Sequence, residues 1–232
     1  MRVGFHTNLQ YYLANPDPKV DAIQIFIGRP ISFWPSEIKN PNKIKDRIHE
    51  LDLKVYVHSP YVYSLNHRAN SIDGANKLQQ IMKGVGLEYM VVHCQGEHSV
   101  QDWIEFLHEI TDPQMVLLEN MAKSTYKSLS ELEEISNATG CGICIDTAHL
   151  SNSGDTTTLN DWSKVKLVHC NYADFEKGLK KDNHSSKSLL SGDVDWVKEN
   201  VLSKINCDLI TEINSTSVDL NEEIKVIQKL IL

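Results

Sequence analysis

Six short apolar runs in this chain each end on a histidine, glutamate or aspartate, the residue types that bind metal ions. One such ending carries little information, because a strand commonly gives way to a polar loop. Six endings of the same kind and direction, spread over most of the chain, indicate parallel strands whose carboxyl ends meet in a β/α barrel. The six runs are Tyr56-Val57-His58, Val91-Val92-His93, Leu117-Leu118-Glu119, Cys144-Ile145-Asp146, Leu167-Val168-His169 and Leu209-Ile210-Thr211-Glu212.

Strand-like and helix-like segments alternate along the whole chain, with no tandem repeat and no obvious linker. The strand-like segments are short and apolar on both faces, as is typical of strands buried in a parallel sheet. Helix-like segments have apolar residues at three- and four-residue spacing, and Ser128-x-x-Glu131 predicts a capping box. The predicted strands are residues 3–6, 22–26, 54–59, 89–93, 116–120, 142–147, 166–171 and 209–214. The predicted helices are residues 41–51, 71–85, 100–110, 128–138, 194–205 and 218–230.

Eight strands and about seven helices in this order predict an α/β fold of the (β/α)8 TIM barrel type, with residues 1–232 as one domain. The chain is slightly short for that fold, which typically has about 250 residues. Residues 148–165 are too few for a loop and a long helix, so we expect a reduced helix between strands 6 and 7, around residues 159–163. An open doubly wound sheet is less favoured, because no Gly-rich phosphate loop follows the first strand.

Composition limits the classes of protein to be considered. The formal net charge of −8 argues against a general nucleic-acid binder, but bound cations would change the local balance, so a phosphate-bearing substrate remains compatible. Five cysteines do not suggest a disulfide framework and favour a reducing compartment. The sequence has neither an apolar stretch long enough for a bilayer nor a signal-peptide pattern. We expect a cytoplasmic monomer, not secreted and without a membrane partner.

Strand parity predicts that the candidate ligands lie on one face. Alternate residues of a strand share a face, so each candidate should lie above an apolar residue that points into the barrel. Two local patterns add further candidates: His149 follows Asp146 by three residues, and Asp182 and His184 lie two apart in a lysine-rich loop. Alone, each pattern is weak, since a strand-end histidine is more often a helix cap or a core residue. Together they predict a site with several metal ions.

Seven segments resemble the endonuclease IV family of apurinic/apyrimidinic (AP) endonucleases, and the resemblance runs in order through nearly the whole chain. The Asp-Thr-x-His and Asp-x-His pieces are its most specific motifs. The segments are His58-Ser59-Pro60-Tyr61, Val91-Val92-His93, Leu118-Glu119-Asn120, Gly142-Ile143-Cys144-Ile145-Asp146-Thr147-Ala148-His149, Val168-His169-Cys170-Asn171, Asp182-Asn183-His184 and Thr211-Glu212.

The resemblance implies three zinc ions per chain, with manganese as an alternative at one position. His58 and His93 would bind the first ion, and Glu119 would bridge it to the second. The second ion would also be bound by Asp146, His169 and Glu212. The third would be bound by His149, Asp182 and His184.

The same resemblance implies hydrolysis of double-stranded DNA on the 5′ side of an abasic site, and trimming of blocked 3′ ends, in base excision repair. Glu119 would act in catalysis, Tyr61 and Arg29 would contact DNA, and His6 and Asn171 would support the metal ligands. Tyr61 is equally compatible with a packed aromatic residue at the rim. The loops depart from the family pattern, whereas the nine metal-binding positions are intact.

Two other functions are compatible with parts of this pattern. A sugar isomerase or epimerase of the same barrel superfamily needs one metal ion, for which Glu119, Asp146, His169 and Glu212 would suffice. That alternative leaves His58, His93, His149 and the pair at 182 and 184 unexplained. A metal-binding module that binds abasic DNA without cleaving it is the third candidate.

Overall fold

The computed structural model describes residues 1–122, 127–155, 157–174, 187–213 and 219–231. Strands and helices alternate through these residues, and each strand lies within a few residues of its predicted position. The strands are β1 Val3–His6, β2 Ala22–Phe26, β3 Lys54–His58, β4 Met90–His93, β5 Val116–Glu119, β6 Gly142–Asp146, β7 Val165–His169 and β8 Asp208–Thr211. The helices are α1 Leu9–Ala14, α2 Pro41–Glu50, α3 Arg68–Val85, α4 Val100–Glu109, α5 Leu129–Thr139, α6 Thr147–Ser153, α7 Val194–Asn200 and α8 Leu220–Leu230.

The eight strands form a closed parallel barrel in sequence order, and β1 pairs with both β2 and β8. Closure requires β1 and β2 to approach closely. Gly4 permits this, because a Cβ atom there would lie 1.7 Å from the carbonyl oxygen of Ala22. The predicted TIM barrel is therefore confirmed, and the open doubly wound sheet is wrong.

Two hydrophobic clusters pack on the two faces of the sheet. The larger cluster fills the space between the strands and the surrounding helices. The smaller cluster fills the barrel interior, as the alternation of side chains along each strand requires. The interior cluster consists of Ala22, Tyr56, Val91, Leu117, Cys144, Leu167 and Ile210.

The helical boundaries differ from the expectations in three places. Helix α1 forms where no helix is predicted from the sequence, and Asn8 caps it by accepting a hydrogen bond from the Tyr11 amide. Residues 194–205 form α7 followed by a separate 3₁₀ helix, Leu202–Lys204, rather than one helix. The capping box at Ser128 is confirmed, with Glu131 as the reciprocal acceptor.

The third difference concerns the link between β6 and β7. The reduced helix there is α6, which begins directly at Thr147, and only a short 3₁₀ helix, Trp162–Lys164, lies near the predicted position. Asp146 is the reason, because its carboxylate accepts a hydrogen bond from the His149 amide at 2.7 Å and so caps the helix. One residue therefore ends the strand and begins the helix.

Within the described ranges, no helix has the length and apolar character needed to cross a membrane.

Candidate metal centre

A layer of polar side chains lies at the carboxyl end of the barrel, directly above the apolar interior cluster. Each strand, or the residue directly after it, contributes one member to this layer, and in β2 to β8 that member lies two positions after the interior residue of the same strand. Residues far apart in sequence thereby meet, as strand parity predicted. The layer consists of His6, Gln24, His58, His93, Glu119, Asp146, His169 and Glu212.

The first potential metal-binding group consists of His58, His93 and Glu119. The Nε2 atoms of His58 and His93 lie 3.6 and 3.2 Å from Glu119 Oε2. His58 Nδ1 donates to the Ser59 carbonyl at 2.7 Å, which leaves the lone pair on Nε2 facing Glu119. Burial lowers the pKa of His93 despite the opposing effect of Glu119, so that ring is neutral near pH 7. A neutral imidazole is the form that binds metals.

Glu119 Oε2 is buried and has no hydrogen-bond partner among the described residues. Burial by itself would raise the pKa of Glu119, but His169 and His93 outweigh it and hold the pKa well below its usual value. A buried, ionised oxygen without a donor is costly unless a cation compensates it. Two imidazole nitrogens and one carboxylate oxygen are ligands that zinc prefers, so the residues present fit a bound zinc ion.

The second group consists of Glu119, Asp146, His169 and Glu212, whose ligand atoms also lie close together. His169 Nδ1 is 3.2 Å from Glu119 Oε1, 3.4 Å from Glu212 Oε2 and 3.8 Å from Asp146 Oδ2. Burial opposes protonation of His169, but Cys144, Glu212 and Glu119 outweigh it and raise its pKa well above the usual value. Three carboxylates around one imidazole give this group a strong preference for positive charge.

Glu119 belongs to both groups, because its two oxygens face different neighbours. Oε2 faces His58 and His93, whereas Oε1 faces His169. This is the geometry that a carboxylate bridging two cations requires. The bridging role predicted for Glu119 is therefore sterically available, with a side chain only 1% exposed.

Asparagine amides orient the acidic ligands. Asn171 Nδ2 donates to Asp146 Oδ2 at 2.7 Å, and Asn171 Oδ1 accepts from the Glu212 amide at 3.0 Å. Asn120 forms a reciprocal pair with the backbone of Asp146, at 2.7 and 3.0 Å. A supporting role is predicted for Asn171 but none for Asn120, because a strand-end asparagine is indistinguishable in sequence from a turn residue.

His149 lies beside both groups. Its Nδ1 atom is 2.8 Å from the Asn120 carbonyl, to which it donates, and 3.3 Å from Glu119 Oε1. This places the ring at the edge of the layer, and the family resemblance implies that His149 would bind a third ion. The other two residues predicted for that ion, Asp182 and His184, lie outside the described residues.

The two residues predicted to contact DNA lie on the rim of the polar layer. Tyr61 is 47% exposed, and its ring centroid is 5.3 Å from those of both His58 and His93. Arg29 is exposed on the β2–α2 loop. The Tyr61 amide donates to the Pro30 carbonyl at 2.7 Å, which joins the two loops at the mouth of the site.

Gln24 and His6 complete the layer on the β1–β2 side. Gln24 is fully buried, and its amide contacts His169, Glu212 and His6. The predicted supporting residue His6 lies 3.8 Å from Glu212 Oε1. No role is predicted for Gln24 from the sequence, although it is the one polar residue in the apolar strand Ala22–Phe26 and lies in phase with the interior residue Ala22.

Comparisons with known proteins agree with the resemblance seen in the motifs. A family model described as xylose isomerase-like TIM barrel matches residues 19–208. Probable endonuclease 4 of Mycobacterium bovis is 27% identical over 222 residues, covering 84% of this chain and 85% of the relative. Endonuclease IV from Thermus thermophilus superposes with a TM-score of 0.75 at 20% identity, covering 100% of this chain and 99% of that one.

The fold is also shared with sugar-converting enzymes. D-psicose 3-epimerase from Clostridium cellulolyticum, solved with D-tagatose, gives a TM-score of 0.62 at 13% identity and covers 97% of this chain and 90% of that one. At these identities, each structural likeness establishes the barrel fold and leaves the reaction to be argued from the site.

Proposed function

This chain belongs to the xylose isomerase-like TIM barrel family, and from that membership and the polar layer we propose that it is a metal-dependent AP endonuclease. It hydrolyses the DNA phosphodiester on the 5′ side of an abasic site and trims blocked 3′ ends, in base excision repair. The observation that carries the proposal is Glu119, whose two oxygens face two separate ligand groups. A single-metal enzyme needs only one of these groups.

Nine residues would bind three zinc ions, with manganese as an alternative at one position. The first two ions correspond to the two groups that share Glu119, and the third corresponds to His149 with Asp182 and His184. When bound, the cations would lower the pKa of a water molecule and neutralise the phosphate oxygens. Glu119 is the catalytic residue of this proposal, because its buried carboxylate lies between the two ligand groups. One oxygen faces His58 and His93, and the other faces His169.

The neighbouring residues supply binding and orientation. Asn171 and His6 contact Asp146 and Glu212, and the Tyr61 ring packs against the rings of His58 and His93 at the rim. An exposed aromatic ring at this rim is suited to fill the gap left in a base stack when a nucleotide turns out of the duplex. Arg29, which is exposed on the adjoining loop, is proposed to contact the phosphate backbone.

The substrate class is supported by the relatives, which are named as endonucleases. We propose double-stranded DNA with abasic or 3′-blocked sites as the partner, and a monomeric single-domain enzyme that acts wherever the cell keeps its DNA. The formal net charge of −8 does not oppose this, because bound cations would offset it at the site.

A sugar isomerase or epimerase is the second candidate. The group of Glu119, Asp146, His169 and Glu212 alone would hold the one divalent ion that such an enzyme needs, and an epimerase shares the barrel fold. It gives no role to the pair His58 and His93 beside Glu119. Three zinc ions per chain would favour the nuclease, and one would favour the isomerase.

The direct test is incubation of zinc-loaded protein with a duplex that carries one tetrahydrofuran abasic analogue. That analogue lacks the aldehyde needed for lyase chemistry, so a nick on its 5′ side reports hydrolysis. We expect a nick that leaves a 3′-hydroxyl and that disappears with a chelator. An intact duplex would contradict the endonuclease proposal, and a nick that survives complete metal removal would contradict metal dependence. Tight binding to the duplex without any nick would favour the non-catalytic module.

A further inference from the structure

Gln24 occupies a central position that neither the ligand groups nor the proposed reaction accounts for. It lies in the middle of β2, is fully buried, and joins residues of β1, β7 and β8. Its Oε1 atom is 2.8 Å from His169 Nε2, and its Nε2 atom is 2.8 Å from Glu212 Oε1 and 3.2 Å from His6 Nδ1. Both donors and one acceptor lone pair of this amide are therefore used.

The orientation of this amide follows from the chemistry of its partners. A carboxylate oxygen accepts hydrogen bonds, so the NH2 end of Gln24 must face Glu212. Its carbonyl end must then face His169. A carbonyl oxygen only accepts, so His169 Nε2 must carry a hydrogen. Glu212, directly after β8, thus requires, through one buried amide, that Nε2 of His169 on β7 carries a hydrogen.

In the neutral form of His169, which is the form that binds metals, the hydrogen on Nε2 leaves the lone pair on Nδ1. That atom faces Glu119, Glu212 and Asp146 at 3.2 to 3.8 Å. A lone pair directed at three carboxylates is unfavourable by itself and favourable around a shared cation. In metal sites, the second nitrogen of a histidine ligand is commonly held by a neighbouring acceptor that fixes the ring and its tautomer.

From this geometry we propose that Gln24 is a positioning residue for the second ligand group. It holds His169 in the Nε2–H form with Nδ1 as the metal-binding atom, and it anchors Glu212 on the opposite side of the same ion. The inference rests on the proposed function, because it presumes a cation among these ligands. It adds a ligand atom, Nδ1 of His169, and a residue that selects it.

Zinc affinity in the isolated protein tests this role independently of activity. We compare wild type, Gln24→Leu and the matched control Gln79→Leu by competition with a chromophoric chelator and by counting zinc per chain. Gln79 is also buried, but its amide bonds the backbone of Asp112, away from the polar layer. Gln24→Leu should lower the affinity for one zinc ion about 10- to 100-fold and leave the affinity for the ion at His58 and His93 unchanged. Gln79→Leu should bind zinc as wild type does.

The outcomes separate this inference from the proposed function. If wild type binds zinc and cleaves the abasic duplex but Gln24→Leu keeps every ion at wild-type affinity, the role of Gln24 is wrong and the function stands. If wild type binds no zinc, both are overturned. If Gln24→Leu loses all its ions and its circular dichroism is that of an unfolded chain, the variant cannot test the inference. A second measurement, made on wild type alone, then decides it.

That second measurement is the nitrogen NMR spectrum of zinc-loaded wild type with labelled histidines. We expect His169 to have a hydrogen on Nε2 and zinc on Nδ1. Zinc bound through Nε2 of His169 would overturn the inference whatever the variants do.

Discussion

At the scale of single residues, the account depends on where one buried carboxylate points. Glu119 is fully buried, its pKa is held well below the usual value by His169 and His93 despite burial, and the described residues provide no donor for its Oε2 atom. Buried carboxylates are usually paired with a cation or bind a metal. The imidazoles on either side are directed at it by their own hydrogen bonds to the Ser59 carbonyl and to Gln24. The site is thus arranged for positive charge before any ion arrives.

Glu119→Gln removes the charge and retains the shape. An amide cannot bridge two cations, so incision of the abasic duplex should fall at least about 100-fold, more than the loss of a supporting residue would cause. Circular dichroism should remain that of wild type. The control is Glu88→Gln, at the opposite end of the barrel, where Glu88 pairs with Lys54. Near wild-type cleavage by Glu119→Gln would remove this residue from the reaction.

Tyr61 provides a test of DNA contact. Its ring is exposed above the first ligand group, and stacking on a base contributes about 1–3 kcal/mol. Tyr61→Ala should weaken binding to the abasic duplex accordingly, whereas Tyr61→Phe should not. Fluorescence anisotropy measures both, with Tyr11→Ala as the control for loss of an exposed tyrosine. Equal affinities of Tyr61→Ala and wild type would assign Tyr61 to packing.

At the scale of elements, the strands could be predicted from sequence more closely than the helices between them. Each strand has a hydrophobic run that begins and ends abruptly, so its position is encoded locally. Helix α6 is not encoded in this way, because Asp146 serves as both strand end and helix cap. Gln24 was missed for a related reason, since its role exists only when β2 lies beside β1 and β8. Such properties depend on neighbours in space.

The β1–β2 contact predicts a steric effect. Gly4→Ala would place a methyl group 1.7 Å from the Ala22 carbonyl oxygen, so the free energy of unfolding should fall by about 1–3 kcal/mol or more. Gly84→Ala is the matched control, because a Cβ in that helix has no neighbour within 4 Å. It should stabilise by about 0.5–1 kcal/mol. Urea denaturation measures both, and equal effects would contradict the register at β1.

Glu133 fastens the β6–β7 link to α5, because its carboxylate accepts hydrogen bonds from the Asn160 and Asp161 amides at 3.0 and 2.6 Å. Glu133→Gln leaves a buried donor unsatisfied, so stability at pH 7 should fall by about 1–3 kcal/mol. The exposed neighbour Glu134→Gln should have little effect. Denaturant unfolding measures the difference.

The same contact has a pH dependence of defined sign. Burial would raise the pKa of Glu133, but the hydrogen bonds from Asn160 and Asp161 outweigh it and lower the pKa below its usual value of 4.5. The carboxylate therefore stabilises the fold fully above pH 4.5, and this contribution disappears as pH falls through the lowered folded-state pKa. The difference in the free energy of unfolding between wild type and Glu133→Gln should become smaller as pH falls through that range. A gap that widens there would contradict the assignment.

At the scale of the whole molecule, barrel closure makes the site. The members of the two ligand groups lie in or directly after six strands, and only the pairing of β8 with β1 brings Glu212 to His6 and Gln24. The fold also explains why the ligands cannot relax apart, since each stands on a strand that is hydrogen-bonded on both sides. Cation binding should accordingly be coupled to global stability.

Removal of metal tests that coupling. A ligand present at 100 times its dissociation constant stabilises a fold by about 2.7 kcal/mol, so the zinc-loaded protein should unfold at a higher temperature than the chelated protein. Calorimetry measures the shift, and Glu119→Gln should reduce it. Equal melting temperatures with and without zinc would mean that the folded barrel binds no ion.

The central claim is that the carboxyl end of this barrel assembles adjoining metal sites that share Glu119. Anomalous diffraction at the zinc absorption edge, from crystals grown with zinc, tests it most directly. The account predicts one peak between His58, His93 and Glu119, a second between Glu119, Asp146, His169 and Glu212, and a third beside His149. A well-ordered map with no peak at Glu119, or with zinc only elsewhere, would contradict it.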